Sequence, residues 1–217
     1  MAMFDEGYRP DEYQRFVRPV PAWYRDAKLG VFLHWGVYSV PAWAEPLGEL
    51  CEAEHSFKHN PYAEWYANTI AIEGSPARLH HDAAFGPGVG YYDLLDRWRA
   101  ERFDADELIR LVASCGARYF VPVSKHHDGV ALWDAPGAKS VTTLTRGPER
   151  DLLTELERAT RRAGLRFGVY YSGGLDWRVA DQGPICEERG DGIQIVHRPN
   201  DDAYARYAYE QASDLVR

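Results

Sequence analysis

A chain of 217 residues with 45% hydrophobic and 27% charged side chains has the apolar mass for one sizeable core, and a single domain is the default reading. Its 25 Lys and Arg are outweighed by 33 Asp and Glu and lie scattered rather than striped, which argues against nucleic acid or another polyanion as partner. The longest apolar runs are strand-sized and broken by His, Arg or Asp, far short of the roughly 20 residues a membrane helix needs, so no membrane span is expected.

The segment Met1–Pro10 carries Asp5 and Glu6 where a secretory signal would place a basic stretch and then an apolar one, and the expected location is cytoplasmic. The first strand is predicted at 30–34 and ends in His34-Trp35-Gly36. A long insertion follows, residues 37 to 103, rich in Trp, Tyr, Pro and Gly. It contains a short helix around Pro61 to Ile70, with Pro61 near the first turn, and an insertion of this length after a first strand is expected to roof a site. Asp104 then reads as an N-cap with Glu107 three residues on. Leu108, Leu111, Val112 and Cys115 mark the apolar face of the helix, and Gly116 stops it.

A strand over 118–124 comes next and ends in Lys125-His126-His127-Asp128-Gly129. The plan repeats in a helix from Arg150 to Ala163 with Leu152, Leu153, Leu156 and Ala159 at helical spacing, a stop at Gly164, and a strand over 165–171 ending in Tyr170-Tyr171-Ser172. Helix, glycine, strand and polar loop in tight succession imply a parallel sheet. A second loop over 180–199 carries Gly183, Pro184, Gly190 and Gly192. A last helix is signalled by Asp201 and Asp202 as caps and by Tyr204, Tyr207, Ala208, Gln211 and Leu215 on one face. It reaches Arg217 without a cap, so the expectation is the front end of a larger α/β domain with about three strands. Cys51, Cys115 and Cys186 fit neither a disulfide framework nor a metal knuckle and read as reduced thiols, with Cys115 in the core.

Parallel strands bring their carboxyl ends together, and that end of an α/β protein is where ligands are bound. The three ends gather imidazoles, phenols, a lysine, a tryptophan and carboxylates. In composition this is a pocket for a polyhydroxylated ligand, because bidirectional hydrogen-bonding groups stand beside aromatic platforms. Three His and an Asp are also residue types that hold zinc. Neighbouring residues of a strand point to opposite sides, however, so His126 and His127 could share an ion only if the strand breaks there, and HExxH spacing is absent. Ser172-Gly173-Gly174 lacks the GxSxG elbow of a serine hydrolase. Glu64-Trp65, taken alone, is an ordinary helix pair.

His34-Trp35-Gly36 with Tyr38-Ser39-Val40-Pro41-Ala42-Trp43, then Glu64-Trp65-Tyr66, Lys125-His126-His127-Asp128-Gly129 and Gly168-Val169-Tyr170-Tyr171-Ser172 together resemble the α-L-fucosidases of glycoside hydrolase family 29. The resemblance runs in order from about residue 16 to the last residue. It implies an α/β fold that is part of a (β/α)8-like (TIM) barrel, holding the first three or so βα units with the C-terminal part missing, and retaining cleavage of terminal α-L-fucose from a fucosylated oligosaccharide or glycoconjugate. No cofactor and no metal are implied. Carried over residue by residue, the substrate-binding side would be His34, Glu64, Trp65, His126, His127 and one of Tyr170 and Tyr171, since strand alternation sends one of that pair away. The family's nucleophile and acid/base would fall beyond Arg217, which leaves no catalytic carboxyl in this chain and Asp128 as a loop cap. A non-catalytic fucoside-binding module is the alternative.

Overall fold

The computed structural model describes residues 15–46, 57–179, 184–185 and 201–217. The segment Met1–Pro10, Cys51, Cys186 and most of the 180–199 loop lie outside the described residues. A short helix α1 (Ala22–Ala27) leads into strand β1 (Val31–Leu33), and the insertion follows. Helix α4 (Ala105–Ser114), strand β2 (Tyr119–Lys125) and helix α5 (Leu152–Arg162) come next, then strands β3 (Arg166–Phe167) and β4 (Tyr170–Tyr171) and helix α6 (Asp202–Leu215). The expected bounds of the three main helices and of the first two strands hold to within a residue or two.

The caps explain why. Asp104, Asp151 and Asp201 each accept the backbone N–H of the residue three further on, which satisfies one orphan donor at the start of α4, α5 and α6. Gly116 and Gly164 take positive φ just past the ends of α4 and α5.

All strands are parallel, in the order β1-β2-β3, with β4 also on β2. The strand expected over 165–171 is split. In the ladder, Arg166 and Gly168 donate their N–H groups to the carbonyls of Arg118 and Phe120. The next N–H of β2 on that side belongs to position 122, and Pro122 has none to give. The pairing lapses at Gly168-Val169 and resumes at Val123↔Tyr170 with a register shift, where Ser124 Oγ donates to the Tyr170 carbonyl over 2.7 Å.

α4 and α5 pack on one face of the sheet around Ala105, Ile109, Val112, Phe120, Leu156 and Ala159. The apolar face of α4 therefore differs from the one expected. Leu111 and Cys115 are exposed, while Ile109 is buried, because the helix turns its Ala105-Ile109-Val112 stripe inward. The insertion supplies a second and larger core with residues 130–153, built on Val37, Tyr66, Leu94, Leu95, Leu132 and Leu152.

In place of the one short helix expected near 61–70, a 3-10 turn (Ala63–Trp65) leads directly into helix α2 (Tyr66–Thr69). Helix α3 (Pro76–Phe85) was not anticipated. Its start is nonetheless written in the sequence, with Ser75 as N-cap and Pro76 in the first turn. Among the described residues, no helix is long and apolar enough to cross a membrane.

Candidate functional site

The site lies at the carboxyl ends of β1 and β2, with β4 alongside. β2 ends at Lys125, so His126 and His127 fall in the turn that follows, free of strand alternation, and their rings lie 4.1 Å apart. His34, one residue past β1, approaches the His126 ring at 5.4 Å. Tyr170 stacks on His126 at 5.6 Å and stands 5.8 Å from His34. The insertion contributes the other wall. Donor atoms of Glu64, His34 and His126 all lie within 4.8 Å of one another, and Trp65 meets His127 edge-on at 5.5 Å.

Tyr171 points elsewhere. Its hydroxyl donates to Gln211 of α6 over 2.9 Å and its ring lies under the Lys125 ammonium, so of the two tyrosines only Tyr170 faces the histidines. Successive strand residues alternate, and β4 holds both.

Burial controls the charge of the site. His126 is 4% exposed and its pKa is pushed down to about 2, first by burial and then by His127 and His34. His127 is pushed down to about 4 by burial, with His34 and Lys125 adding to the effect. Both imidazoles are thus neutral near pH 7, each offering one donor and one acceptor. His126 Nδ1 and the Tyr38 hydroxyl are buried without a partner among the described residues, and burial raises the Tyr38 pKa above its usual range. Sequence reasoning missed Tyr38 as a wall of this site. It is 4% exposed, its ring stands 6.0 Å from His126, and the charge of Glu64 reaches its phenol.

The loop carboxylates are committed elsewhere. Asp128 is buried, accepts from Tyr91 Oη at 2.7 Å and from the Val130 N–H at 3.1 Å, and has its pKa raised to about 6 by burial. Asp176 holds Lys125 Nζ at 2.6 Å, with neither side chain exposed. The ammonium also lies 4.8 Å from the centres of the Tyr171 and Tyr207 rings, and burial lowers its pKa while Asp176 opposes that shift. Gly129 has a φ of +71°, and a Cβ there would run into the Asp176 carboxylate, so glycine is what lets the two loops close on each other. Trp177 donates its backbone N–H to the His127 carbonyl at 2.7 Å, which carries this lock to the edge of the site.

The arrangement can do two things chemically. His34, Glu64 and His126 are zinc ligand types, though a tetrahedral zinc holds its donors about 3.3 Å apart. The same three groups, with neutral His127 and the Tyr170 face, suit several hydroxyls carried on one small ring.

Comparison with known proteins identifies the family. The model of the family described as alpha-L-fucosidase matches residues 2–217. The chain is 36% identical over 172 residues to the human tissue alpha-L-fucosidase and 34% identical over 168 residues to an alpha-L-fucosidase of Dictyostelium discoideum. These matches cover 78% and 76% of this chain but 33% of each relative. Among solved structures, the Thermotoga maritima alpha-fucosidase in complex with fucose superposes with a TM-score of 0.81 at 45% identity, covering 91% of this chain and 44% of that one. The chain thus spans about a third of its curated relatives and under half of the solved enzyme.

Proposed function

This chain belongs to the alpha-L-fucosidase family, and from that premise we propose that it forms the sugar-gripping portion of a retaining fucosidase catalytic domain. The observation that carries the proposal is the convergence of His34, Glu64, His126, His127 and Tyr170 on one small space at the carboxyl ends of parallel strands. Fucose presents hydroxyls at C2, C3 and C4, which suit His and Glu, and an apolar C5-methyl, which suits the faces of Trp65 and Tyr170.

The domain would be part of a (β/α)8 barrel. Consecutive strands lie side by side in the order β1-β2-β3, and the connecting helices α4 and α5 pack against each other on one face. Winding that never reverses builds a barrel, whereas a doubly wound sheet switches direction and places helices on both faces.

Retaining cleavage needs a nucleophilic carboxylate and an acid/base carboxyl about 5 Å apart. Asp128 and Asp176 are buried and engaged with Tyr91 and Lys125, and Glu64 sits with the binding groups. On this reading both catalytic carboxyls lie outside these 217 residues, and the substrate is a fucosylated oligosaccharide or glycoconjugate.

An assay with an aryl α-L-fucoside tests the proposal. The full gene product should release fucose with retention of configuration, while the 217-residue chain should bind fucose without turnover. Hydrolysis by the 217-residue chain would give Asp128 or Asp176 the role denied here. A full gene product that binds fucose and never cleaves it would leave a binding module.

A further inference from the structure

Ser172 makes no part of the sugar-facing set, yet it holds one member of it. The residue is 3% exposed. Its hydroxyl oxygen lies 2.6 Å from His127 Nδ1 and 2.8 Å from the Leu175 carbonyl oxygen. A hydroxyl has one proton to give, and a carbonyl oxygen can only accept. The Ser172 proton is therefore committed to Leu175, and the oxygen turns a lone pair toward Nδ1. Two lone pairs 2.6 Å apart would repel, so Nδ1 must bear a proton.

The neighbours leave this assignment standing. The Tyr170 phenol also feels the Ser172 hydroxyl and could accept its proton, but the Leu175 carbonyl would then face a Ser172 lone pair at 2.8 Å, and in that arrangement too Ser172 has no proton for Nδ1. The His127 ring meets Trp65 at 5.5 Å and Trp177 at 5.3 Å, both edge-on, the two indoles touching each other at 5.2 Å, and its backbone carbonyl is tied to the Trp177 N–H. Lys125, Asp176 and His34 are the charged or titratable groups that act on it. Its pKa of about 4 keeps the ring neutral at pH 7, so one proton on Nδ1 leaves none on Nε2. Among the described residues nothing bonds to Nε2, and it is not among the buried atoms without a partner. Nε2 is therefore not sealed in the interior, and its ring lies 4.1 Å from that of His126.

We propose that Ser172 is a positioning residue that fixes His127 as the Nδ1–H form, so that Nε2 accepts a hydrogen bond from a ligand hydroxyl and the pocket rejects, at that point, any group unable to donate one. The placement of the proton stands on geometry alone, and the selection of a hydroxyl rests on the fucose-binding reading above. The proposal makes part of the pocket's specificity depend on a serine that never touches the sugar.

Long-range proton–nitrogen NMR of the histidine-labelled full gene product, without sugar, reads the tautomer directly. The His127 signals should show the proton on Nδ1 in the wild type and should leave that form in Ser172→Ala. Fucose affinity should fall on the order of 10-fold in Ser172→Ala, the loss expected when one hydrogen bond is no longer made, and Ser172→Thr should restore it. In a His127→Ala background, Ser172→Ala should change fucose affinity no further, because the serine acts through the histidine. A wild-type His127 carrying its proton on Nε2 would overturn the proposal, as would a Ser172→Ala effect that persists undiminished without His127. If fucose does not bind but Nδ1 carries the proton, the fucose reading fails and the positioning role survives.

Discussion

Replacing Asp176 with asparagine should be among the most costly single changes near the site, and its cost should depend on pH in a defined way. The substitution removes the charge facing Lys125 Nζ across 2.6 Å, where neither side chain is exposed. Around the ammonium there remain two tyrosine ring faces at 4.8 Å and the opposed charges of Asp128 and Arg178, present before and after. Breaking a buried pair by deleting one partner costs about 3–5 kcal/mol. The chemistry of lysine sets a ceiling. Once stranded, Lys125 can shed its proton, and neutralising an ordinary lysine at pH 7 costs about 4.6 kcal/mol, from a reference pKa near 10.4. Burial already lowers the pKa of Lys125, so the variant should reach that limit readily. Its folded state then binds one proton fewer than its unfolded state, and stability rises with pH by about 1.4 kcal/mol per unit until the unfolded lysine titrates. Equilibrium urea unfolding of the full gene product at pH 7 and pH 9 measures both numbers. A cost below about 1 kcal/mol at pH 7, or one that does not shrink at pH 9, would refute the reasoning. The Lys125→Met, Asp176→Asn double variant should be less destabilised than Asp176→Asn alone, since it strands no charge.

His126 and His127, neutral when folded and protonated when unfolded, contribute stability that is lost as pH falls from about 6.5 toward their folded values of about 2 and 4. Asp128, raised to about 6, acts in the opposite sense between about pH 4 and 6, so near pH 5 these three groups leave a net slope of about one proton, or about 1.4 kcal/mol per unit. Asp128→Asn should roughly double that slope in a pH series of urea unfolding, and an unchanged slope would contradict the burial of its carboxyl. His34→Ala, His126→Ala and His127→Ala should each lower kcat/KM of the full gene product for an aryl α-L-fucoside by roughly 5- to 150-fold, the equivalent of about 1–3 kcal/mol for a hydroxyl left unpaired, and wild-type kinetics in all three would remove them from the pocket. Tyr170→Phe should weaken fucose binding in calorimetry while Tyr171→Phe leaves it unchanged and costs about 1 kcal/mol of stability through the lost bond to Gln211; the reverse pattern would mean that the two rings are misassigned.

Much of this architecture was legible because its signals are local. Asp104, Asp201, Gly116 and Gly164 mark helix ends by their own side chains or the lack of one. The meeting of His34 with His126 was legible through topology, since parallel strands bring their polar ends together. What stayed hidden depends on partners distant in sequence. The break at Gly168-Val169 comes from a missing N–H 46 positions earlier, at Pro122. The exposure of Leu111 and Cys115 depends on which stripe of α4 meets Phe120 and Leu156. Tyr38 reads as an ordinary aromatic in a Pro- and Trp-rich loop, and only the fold brings its hydroxyl near Glu64. Tyr170 and Tyr171 could not be separated until Gln211 and Lys125 claimed one of them.

A crystal structure of the full gene product with L-fucose tests the central claim most directly. The account predicts one sugar at the carboxyl ends of β1 and β2, its hydroxyls bonded to His34, Glu64, His126 and Nε2 of His127, with Tyr170 against the ring and Tyr171 still bound to Gln211. Fucose seated elsewhere, or a metal ion held by His34, Glu64 and His126 in its place, would contradict it.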